Sequence, residues 1–395
     1  MERKKTNQIK VGDVLIGGGS PVSIQSMTSG YTYEIDTCVA EINRLHIAGA
    51  DIVRVAVPQK ADTAALPEIL NQVTVPIVAD VHFHYQRALE SIAAGVHKIR
   101  LNPGNIDDES QVCSVIEACR DADIPIRVGV NEGSVVERKD KQKRQSELAS
   151  FFADRHQGHL LAMMIVKLEE YIELFEKHNF HNICLSAKLM DARLVIDIYK
   201  EISNRFDYPL HLGVTHAGPR ETGSIRSISA LGALLSSGIG DTIRISYASD
   251  PVFEVEDAVE LLNCLHLRDR IGAELIACPS CGRIQVDLFT LVEDVRKKLA
   301  NDIDLPIKVA VMGCVVNGPG EAEGADVAVF AGDRRGIIYV QGERIANVPE
   351  NEILQRLLDE CHALQDRVRN GETKLGEKNV VITAPTGITV EGHTH

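Results

Sequence analysis

Short β-branched apolar runs, each followed by a stretch of helical periodicity, recur eight times between residues 20 and 268. The runs are 22–27 (VSIQSM), 51–57 (DIVRVAV), 75–83 (VPIVADVHF), 96–102 (VHKIRLN), 124–131 (IPIRVGVN), 181–188 (HNICLSAK), 208–217 (YPLHLGVTHA) and 241–246 (DTIRIS). Stretches such as DTCVAEINRLHIAGA, DARLVIDIYKEIS and SIRSISALGALLSSG lie between them, and several end in Gly, as helix C-termini do. Eight strand-helix units in about 250 residues predict an α/β fold, a (β/α)8 TIM-type barrel over residues 1–268. The widest interval, between the fifth and sixth runs, holds the charged segment VERKDKQKRQSE, which reads as a solvated loop or helix start rather than a binding patch.

From residue 269 the pattern changes. Apolar runs and helical stretches no longer alternate regularly, which predicts a smaller α+β domain over 269–367 with helices near 286–300 and 350–368. Residues 368–395 are polar and rich in Gly and Thr, so a poorly ordered tail is expected, in which VVITA (380–384) could add a short edge strand.

Composition narrows the function class. The 395 residues carry 42 Lys and Arg against 56 Asp and Glu, a net charge of -14. That balance argues against a nucleic-acid partner, whose affinity rests on neutralising phosphates. No apolar run approaches the ~20 residues that span a bilayer. The segment MERKKTNQIKVGDV has no apolar core of a secretory signal, and a cytoplasmic location is expected. Nine cysteines are an odd number, and in a chain of this length grouped cysteines bind metal or do redox work more often than they form disulfides.

Three of the nine stand apart. Cys278 and Cys281 form Cys-Pro-Ser-Cys-Gly after the apolar run AELIA, and Cys314 follows Cys281 by 33 positions in Met-Gly-Cys-Val-Val-Asn-Gly-Pro-Gly-Glu. A Cys-x-x-Cys turn points two thiolates at one centre, and a third after another buried strand can complete a face. A structural zinc site wants four ligands, and no fourth Cys or His lies nearby. Three thiolates with an oxygen ligand suit a 4Fe-4S cluster, and Glu321, seven residues after Cys314, is the best candidate oxygen. On spacing alone, cluster, zinc and plain thiols all remain open.

In a TIM-type barrel the chemistry sits at the C-terminal ends of the strands. The predicted strand ends carry Arg54, Asp80, His82, Arg100, Asn102, Arg127, Asn131, Ser186, Lys188, Thr215, His216, Arg244 and Ser246. Five of the eight ends therefore bear a cation, where a packed barrel interior would be apolar. Arg binds phosphate oxygens bidentately and Lys adds a point charge, so the implied ligand is a compact phosphate or diphosphate. Local pairing with Asp51, Asp80 or Asp241 would account for one or two of these cations and leave the others unexplained. Asp80 and His82 could form an acid/base pair or orient an Arg.

These residues carry a resemblance. DIVRVAVP, VADVHFH, KIRLNPGN, IRVGVNEGS, LHLGVTHAG, SSGIGDTIRIS, CPSCGR and GCVVNGPGEA closely resemble segments of the 4-hydroxy-3-methylbut-2-en-1-yl diphosphate synthase family, in order over about residues 5–365. The resemblance implies a barrel that binds 2-C-methyl-D-erythritol 2,4-cyclodiphosphate and a C-terminal domain with a 4Fe-4S cluster. It also implies reductive ring opening with loss of water in the methylerythritol phosphate route to isoprenoids, electrons from flavodoxin or ferredoxin, and a homodimer. Carried over, the cluster ligands fall on Cys278, Cys281, Cys314 and Glu321. Substrate contacts fall on Arg54, Arg100, Asn102, Arg127, Asn131, Lys188, Arg244 and Ser246, with Asp80 and His82 lining the floor.

One position departs from the family. At the seventh strand end the family usually reads Gly-[Val/Ile]-Thr-Glu-[Ala/Ser]-Gly, and this chain has Gly-Val-Thr-His-Ala-Gly, which puts His216 where a catalytic-site Glu is expected. A histidine can deliver a proton but supplies no negative charge. Glu221 in the nearby PRETG segment is a candidate stand-in. The competing readings are a phosphate-binding barrel lyase with a structural zinc domain and an iron-sulfur sensor without catalysis.

Overall fold

The computed structural model describes residues 3–81, 84–101, 108–135, 157–284, 286–314, 322–332 and 334–376. Two compact units meet between Arg268 and Asp269.

The first unit opens with a hairpin of β1 (Ile9–Val11) and β2 (Val14–Ile16). There follow β3 (Ser23–Met27), α1 (Ile35–Ile47), β4 (Ile52–Ala56), α2 (Lys60–Leu70), β5 (Ile77–Asp80), α3 (Tyr85–Ala94), β6 (Lys98–Leu101) and α4 (Glu109–Asp121). The second half is β7 (Ile126–Asn131), α5 (Gly158–Lys177), β8 (Ile183–Lys188), α6 (Ala192–Arg205), β9 (His211–Leu212), α7 (Arg220–Ser236), β10 (Thr242–Ile243) and α8 (Pro251–Cys264). The eight parallel strands run β8-β7-β6-β5-β4-β3-β10-β9, and a parallel bridge between Leu185 and Leu210 joins the two ends. The expected TIM-type barrel is present.

Alternation along each strand explains how the layers form. Val53 and Val55, Ile77 and Ala79, Ile99 and Leu101, and Val128 and Val130 pack with the helices in one core. Their neighbours face the barrel interior. At its N-terminal end Ile52, Val78 and Cys184 close against Ile9, Val11 and Ile16, so the hairpin plugs the barrel floor. The sequence pattern gave no warning of this hairpin, because two three-residue strands carry too little alternation. Higher in the interior the residues are polar.

The runs at 208–217 and 241–246 yield ladders of only two residues each, in β9 and β10. Past Leu212 the chain leaves the sheet, and the Thr215 amide donates to Leu189 O at 3.0 Å, beyond the end of β8. The thin β8-β9 seam is stitched from outside by Tyr199 on α6, whose hydroxyl accepts from Ala187 N (3.1 Å) and donates to His211 O (2.6 Å).

The second unit holds β11 (Glu274–Ala277), α9 (Leu288–Asp302), β12 (Lys308–Met312), β13 (Val327–Gly332), β14 (Arg335–Val340), β15 (Glu343–Pro349) and α10 (Ile353–Arg369). The sheet order is β11-β12-β13-β14-β15, parallel at the first two junctions and antiparallel at the last two. One face packs Val309, Val311, Val327, Val329 and Ile338 against Leu288, Val295 and Leu299 of α9 and Leu357 and Leu364 of α10. The other gathers Ala310, Met312, Ala328, Phe330 and Tyr339. Gln341 and Gly342 join β14 to β15 with φ of 45° and 82°, the two-residue turn with positive φ at both centres that matches strand twist.

Both helices of this unit start and end slightly later than the periodicity suggests. Residues 368–376, expected to open the tail, are held in place: α10 runs to Arg369, Gln341 Nε2 donates to Lys374 O at 3.0 Å, and Gly376 N donates to Asp326 at 3.0 Å. Residues 380–384 and the charged segment at 136–147 lie outside the described residues. No helix among the described residues is long and apolar enough to cross a membrane.

Candidate active site

The five cations expected at the strand ends come together. Arg54 (β4), Arg100 (β6), Arg127 (β7), Lys188 (β8) and Arg244 line one cavity of about 180 Å³ with Asp80, Asn131, Thr215 and Ser246. The register explains this. Arg100 pairs with Arg127, Arg127 with Cys184, and Asn131 with Lys188, so side chains of the same phase face inward at matching heights. Pockets for drug-sized ligands run to roughly 300–1,000 Å³. A cavity this small and this polar fits a compact anionic group.

Burial makes the charge costly in the absence of an anion. Arg54, Arg100, Arg127 and Lys188 are 7%, 6%, 3% and 8% exposed. Asp80 supplies local compensation, with Arg54 Nε at 3.5 Å and Arg100 Nη1 at 3.2 Å. Arg54 leans otherwise on a thioether, with Nη2 donating to Met27 Sδ at 2.9 Å. Desolvation, reinforced by the neighbouring arginines, holds Lys188 well below the usual lysine range and Arg54 well below the usual arginine range, Asp80 opposing the shift at Arg54. Arg127 is pushed down to about 10, again by burial first. Groups so perturbed in one cleft mark a functional site.

Two contributors escaped sequence reasoning. Glu254 of α8 is 5% exposed, accepts the Tyr247 amide at 3.0 Å and stands 3.8 Å from Arg244 Nη2, a second carboxylate behind the cation ring. Its only signal was an acid on the buried stripe of an apolar helix. Gly213 is the other: a Cβ there would lie 2.6 Å from Lys188 Nζ and 2.9 Å from Arg244 O. Ser246 Oγ donates to Val214 O at 3.2 Å, which leaves its lone pairs toward the cavity.

The remaining expected residues fall out unevenly. His82, Asn102 and Glu321 lie outside the described residues. His216 is exposed, with φ of 52°, and is not among the residues lining the cavity. Glu221 is exposed in the first turn of α7. Asp51 pairs with Arg268 and Asp241 with Arg3, so neither compensates the rim.

A larger groove of about 710 Å³ lies at the other end of the barrel, lined by Gln8, Lys10, His97, Asp123 and His181. Its polar groups serve the fold. His97 Nδ1 accepts the Ile77 amide at 3.0 Å, and His181 is hydrogen-bonded to Tyr208 at 2.9 Å. Nothing there converges as the cations do.

In the second unit, Cys278 and Cys314 follow the C-terminal ends of the adjacent parallel strands β11 and β12, and the turn carrying Cys281 returns Ile284 N to Cys281 O at 3.2 Å. Cys278 Sγ accepts the Gly313 amide at 3.2 Å. Cys278 and Cys314 are half-buried and Cys281 is exposed. Tetrahedral zinc-sulfur bonds of about 2.3 Å would bring thiolates to about 3.8 Å from one another. Among the described residues these three do not form a group with all ligand atoms within 4.8 Å. The donor set, wider than a single ion would hold and built of soft thiolates, fits a polynuclear iron-sulfur group better than zinc.

The other cysteines have plainer surroundings. Burial pushes the thiols of Cys38, Cys119 and Cys361 up to about 12 and that of Cys184 up to about 11. Cys113 meets His178 at 3.1 Å on the outside of the barrel.

Comparison with known proteins places these features in context. The model described as the GcpE TIM-barrel domain matches residues 6–259, and that of the GcpE protein C-terminal domain matches 274–363. The 4-hydroxy-3-methylbut-2-en-1-yl diphosphate synthase (flavodoxin) of Corynebacterium efficiens is 44% identical over 361 residues, 91% of this chain and 92% of that one. The protein of the same name from Corynebacterium glutamicum is 43% identical over 368 residues, covering 93% of each. One of Streptomyces coelicolor, the flavodoxin type numbered 2, is 42% identical over 382 residues, 96% of this chain and 95% of that one.

Proposed function

The chain belongs to the GcpE family, and from that premise we propose that it is the oxidoreductase that opens 2-C-methyl-D-erythritol 2,4-cyclodiphosphate reductively in isoprenoid biosynthesis. Two electrons and two protons enter, one water leaves, and the product is linear (E)-4-hydroxy-3-methylbut-2-en-1-yl diphosphate. The observation that carries this reading on the chain's own residues is the ring of five cations, four of them buried, around one small cavity at the strand ends.

The cyclic diphosphate sits among Arg54, Arg100, Arg127, Lys188 and Arg244. Asp80 holds Arg54 and Arg100 in orientation through its two contacts. Asn131 and Ser246 give directed hydrogen bonds, while Asn102 and His82 complete the set. The walls are low in dielectric, so each cation acts more strongly on the phosphate oxygens than it would in water. Charge neutralised on the diphosphate makes it a better leaving group when the ring opens. His216, standing where the family has Glu, can hold a proton but brings no negative charge.

Cys278, Cys281, Cys314 and Glu321 would hold one 4Fe-4S cluster per subunit. Such a cluster supplies single electrons at low potential and, at the iron without a thiolate, a Lewis-acidic position. Its electrons come from flavodoxin or ferredoxin. The reading includes a homodimer and a cytoplasmic location.

Anaerobic iron, labile-sulfide and zinc analysis followed by turnover with the cyclodiphosphate and reduced flavodoxin tests the proposal. Four iron and four sulfide per chain with turnover is the expected result. One zinc and no sulfide would overturn it in favour of the lyase reading, and a loaded cluster without turnover would favour the sensor.

A further inference from the structure

One residue layer beneath the cation ring, the barrel holds a second set of polar side chains that the reaction does not use. Lys98 starts β6 two residues before Arg100 and so faces the interior on the same side of the strand. It is 0% exposed, and its Nζ has no hydrogen-bond partner among the described residues. His211 of β9 is also 0% exposed, with neither ring nitrogen partnered among the described residues.

A buried ammonium normally has a carboxylate beside it. Among the described residues Lys98 is surrounded instead by groups that give it little compensation. Arg54 on β4, Arg127 on β7 and Arg100 on its own strand are cations. Cys184 on β8 is a thiol held protonated by burial, and His211 on β9 is held neutral by burial and by Arg127, Lys188, Lys98 and Arg54. Farther round the barrel β3 and β10 carry the neutral Gln25 and Thr242, and the Asp80 carboxylate of β5 is already taken by Arg54 and Arg100. Desolvation lowers Lys98 to about 8, with Cys184 opposing the shift and Arg127 and Arg54 adding to it.

We propose that Lys98 is a proton-accepting positioning residue for the rim, divided between amine and ammonium when the cavity holds no polyanion and filled to the ammonium by a proton taken from solvent onto Nζ when a diphosphate binds above it. The step is an amine plus a solvent proton giving an ammonium, with no other bond made or broken. A multiply charged anion one layer away offsets the repulsion from Arg54 and Arg127 and raises the proton affinity of Nζ. Lys98 thereby tunes the charge of the cavity to that of its ligand, and affinity falls as pH rises past the range where free Lys98 loses its proton. This inference rests on the rim being a polyanion site.

The experiment is calorimetric titration of the holoenzyme with inorganic pyrophosphate at pH 8, in buffers of different ionisation enthalpy, for wild type, Lys98→Met and Lys98→Arg. Ionisation of the ligand and of Lys188 is common to all three, so the difference reads Lys98 alone. Wild type is expected to take up about half a proton more per ligand than either variant, because a group titrating near the working pH is about half protonated beforehand. Lys98→Arg keeps a fixed charge of similar size and carries the test should Lys98→Met not fold. Equal proton uptake in wild type and variants overturns the role of Lys98 and leaves the polyanion site standing. Absence of pyrophosphate binding to wild type overturns the polyanion site and this inference together.

Discussion

Asp80→Asn isolates the central tension of the barrel rim, buried cations held by few acids. Asp80 is 3% exposed and lies 3.5 Å from Arg54 and 3.2 Å from Arg100, whose side chains are 9% and 7% exposed. The substitution keeps shape, removes one charge and turns one of the two acceptor oxygens into a donor. At an effective dielectric near 20, each contact is worth about 4 to 5 kcal/mol before desolvation. Breaking a buried pair from one side leaves a net loss of about 3–5 kcal/mol, because the orphaned arginines remain where they are. For a barrel of this size that corresponds to a fall in Tm of roughly 6 °C or more. The loss has a signature that general damage lacks. A bound polyanion supplies the missing negative charge, so the rise in Tm on adding millimolar pyrophosphate should be larger in the variant than in wild type. Differential scanning fluorimetry of the two proteins, with and without pyrophosphate, reads both effects. An unchanged Tm without ligand, or a ligand-induced rise no greater than that of wild type, would refute the assignment of Asp80 as counter-charge to the ring.

Other consequences are as direct. Arg100→Ala should raise KM for the cyclodiphosphate by about 10- to 150-fold, the loss of one charge-assisted contact of about 1.5–3 kcal/mol, while iron and sulfide content stay at the wild-type level; cluster loss would contradict placing Arg100 in the barrel. Gly213→Ala puts a methyl group 2.6 Å from Lys188 Nζ and 2.9 Å from Arg244 O, closer than van der Waals contact, so it should weaken pyrophosphate binding in the same calorimetric assay and lower Tm as well. Alanine at Cys278, Cys281 or Cys314 should abolish labile sulfide, with pyrophosphate binding to the barrel retained. Tyr199→Phe leaves the buried Ala187 amide and His211 carbonyl without a partner at the β8-β9 seam and should cost about 1–3 kcal/mol of stability by denaturant titration.

How far the sequence reached depended on whether the signal was local. Short β-branched apolar runs, each followed by a stretch of helical periodicity, located all eight strand-helix units, because Val53, Ile77, Ile99 and Val128 each face helices and must be apolar whatever the rest of the chain does. The cations at the strand ends were legible for the converse reason, since Arg54, Arg100, Arg127 and Lys188 occupy inward positions where an ordinary barrel is apolar. What escaped is held by contacts far apart in the chain. The floor hairpin is defined by Ile9, Val11 and Ile16 meeting Ile52, Val78 and Cys184. Gly213 matters only because Lys188 crosses over it, and Glu254 only because a helix turns it back toward Arg244 and the Tyr247 amide. Neither relation has a spacing to read.

The same contrast explains why this barrel stays closed with a polar interior. An apolar floor and an apolar outer shell exclude water from a middle that has more cations than acids, so the fold holds unpaid electrostatic repulsion at one end. Stability there is limited by Asp80 and Glu254, the two carboxylates within reach of the ring among the described residues. A dianion or trianion in the cavity relieves the repulsion on several cations together, whereas a neutral sugar or a single carboxylate relieves little of it. Selectivity for a compact diphosphate therefore follows from a deficit of acids as much as from the donors themselves. Placing an extra acid on the interior, for instance Ser186→Asp beside Arg127 and Lys188, should stabilise the free protein and weaken pyrophosphate binding in the same variant. A Tm that rises without any loss of affinity would show that repulsion among the cations does not drive ligand binding.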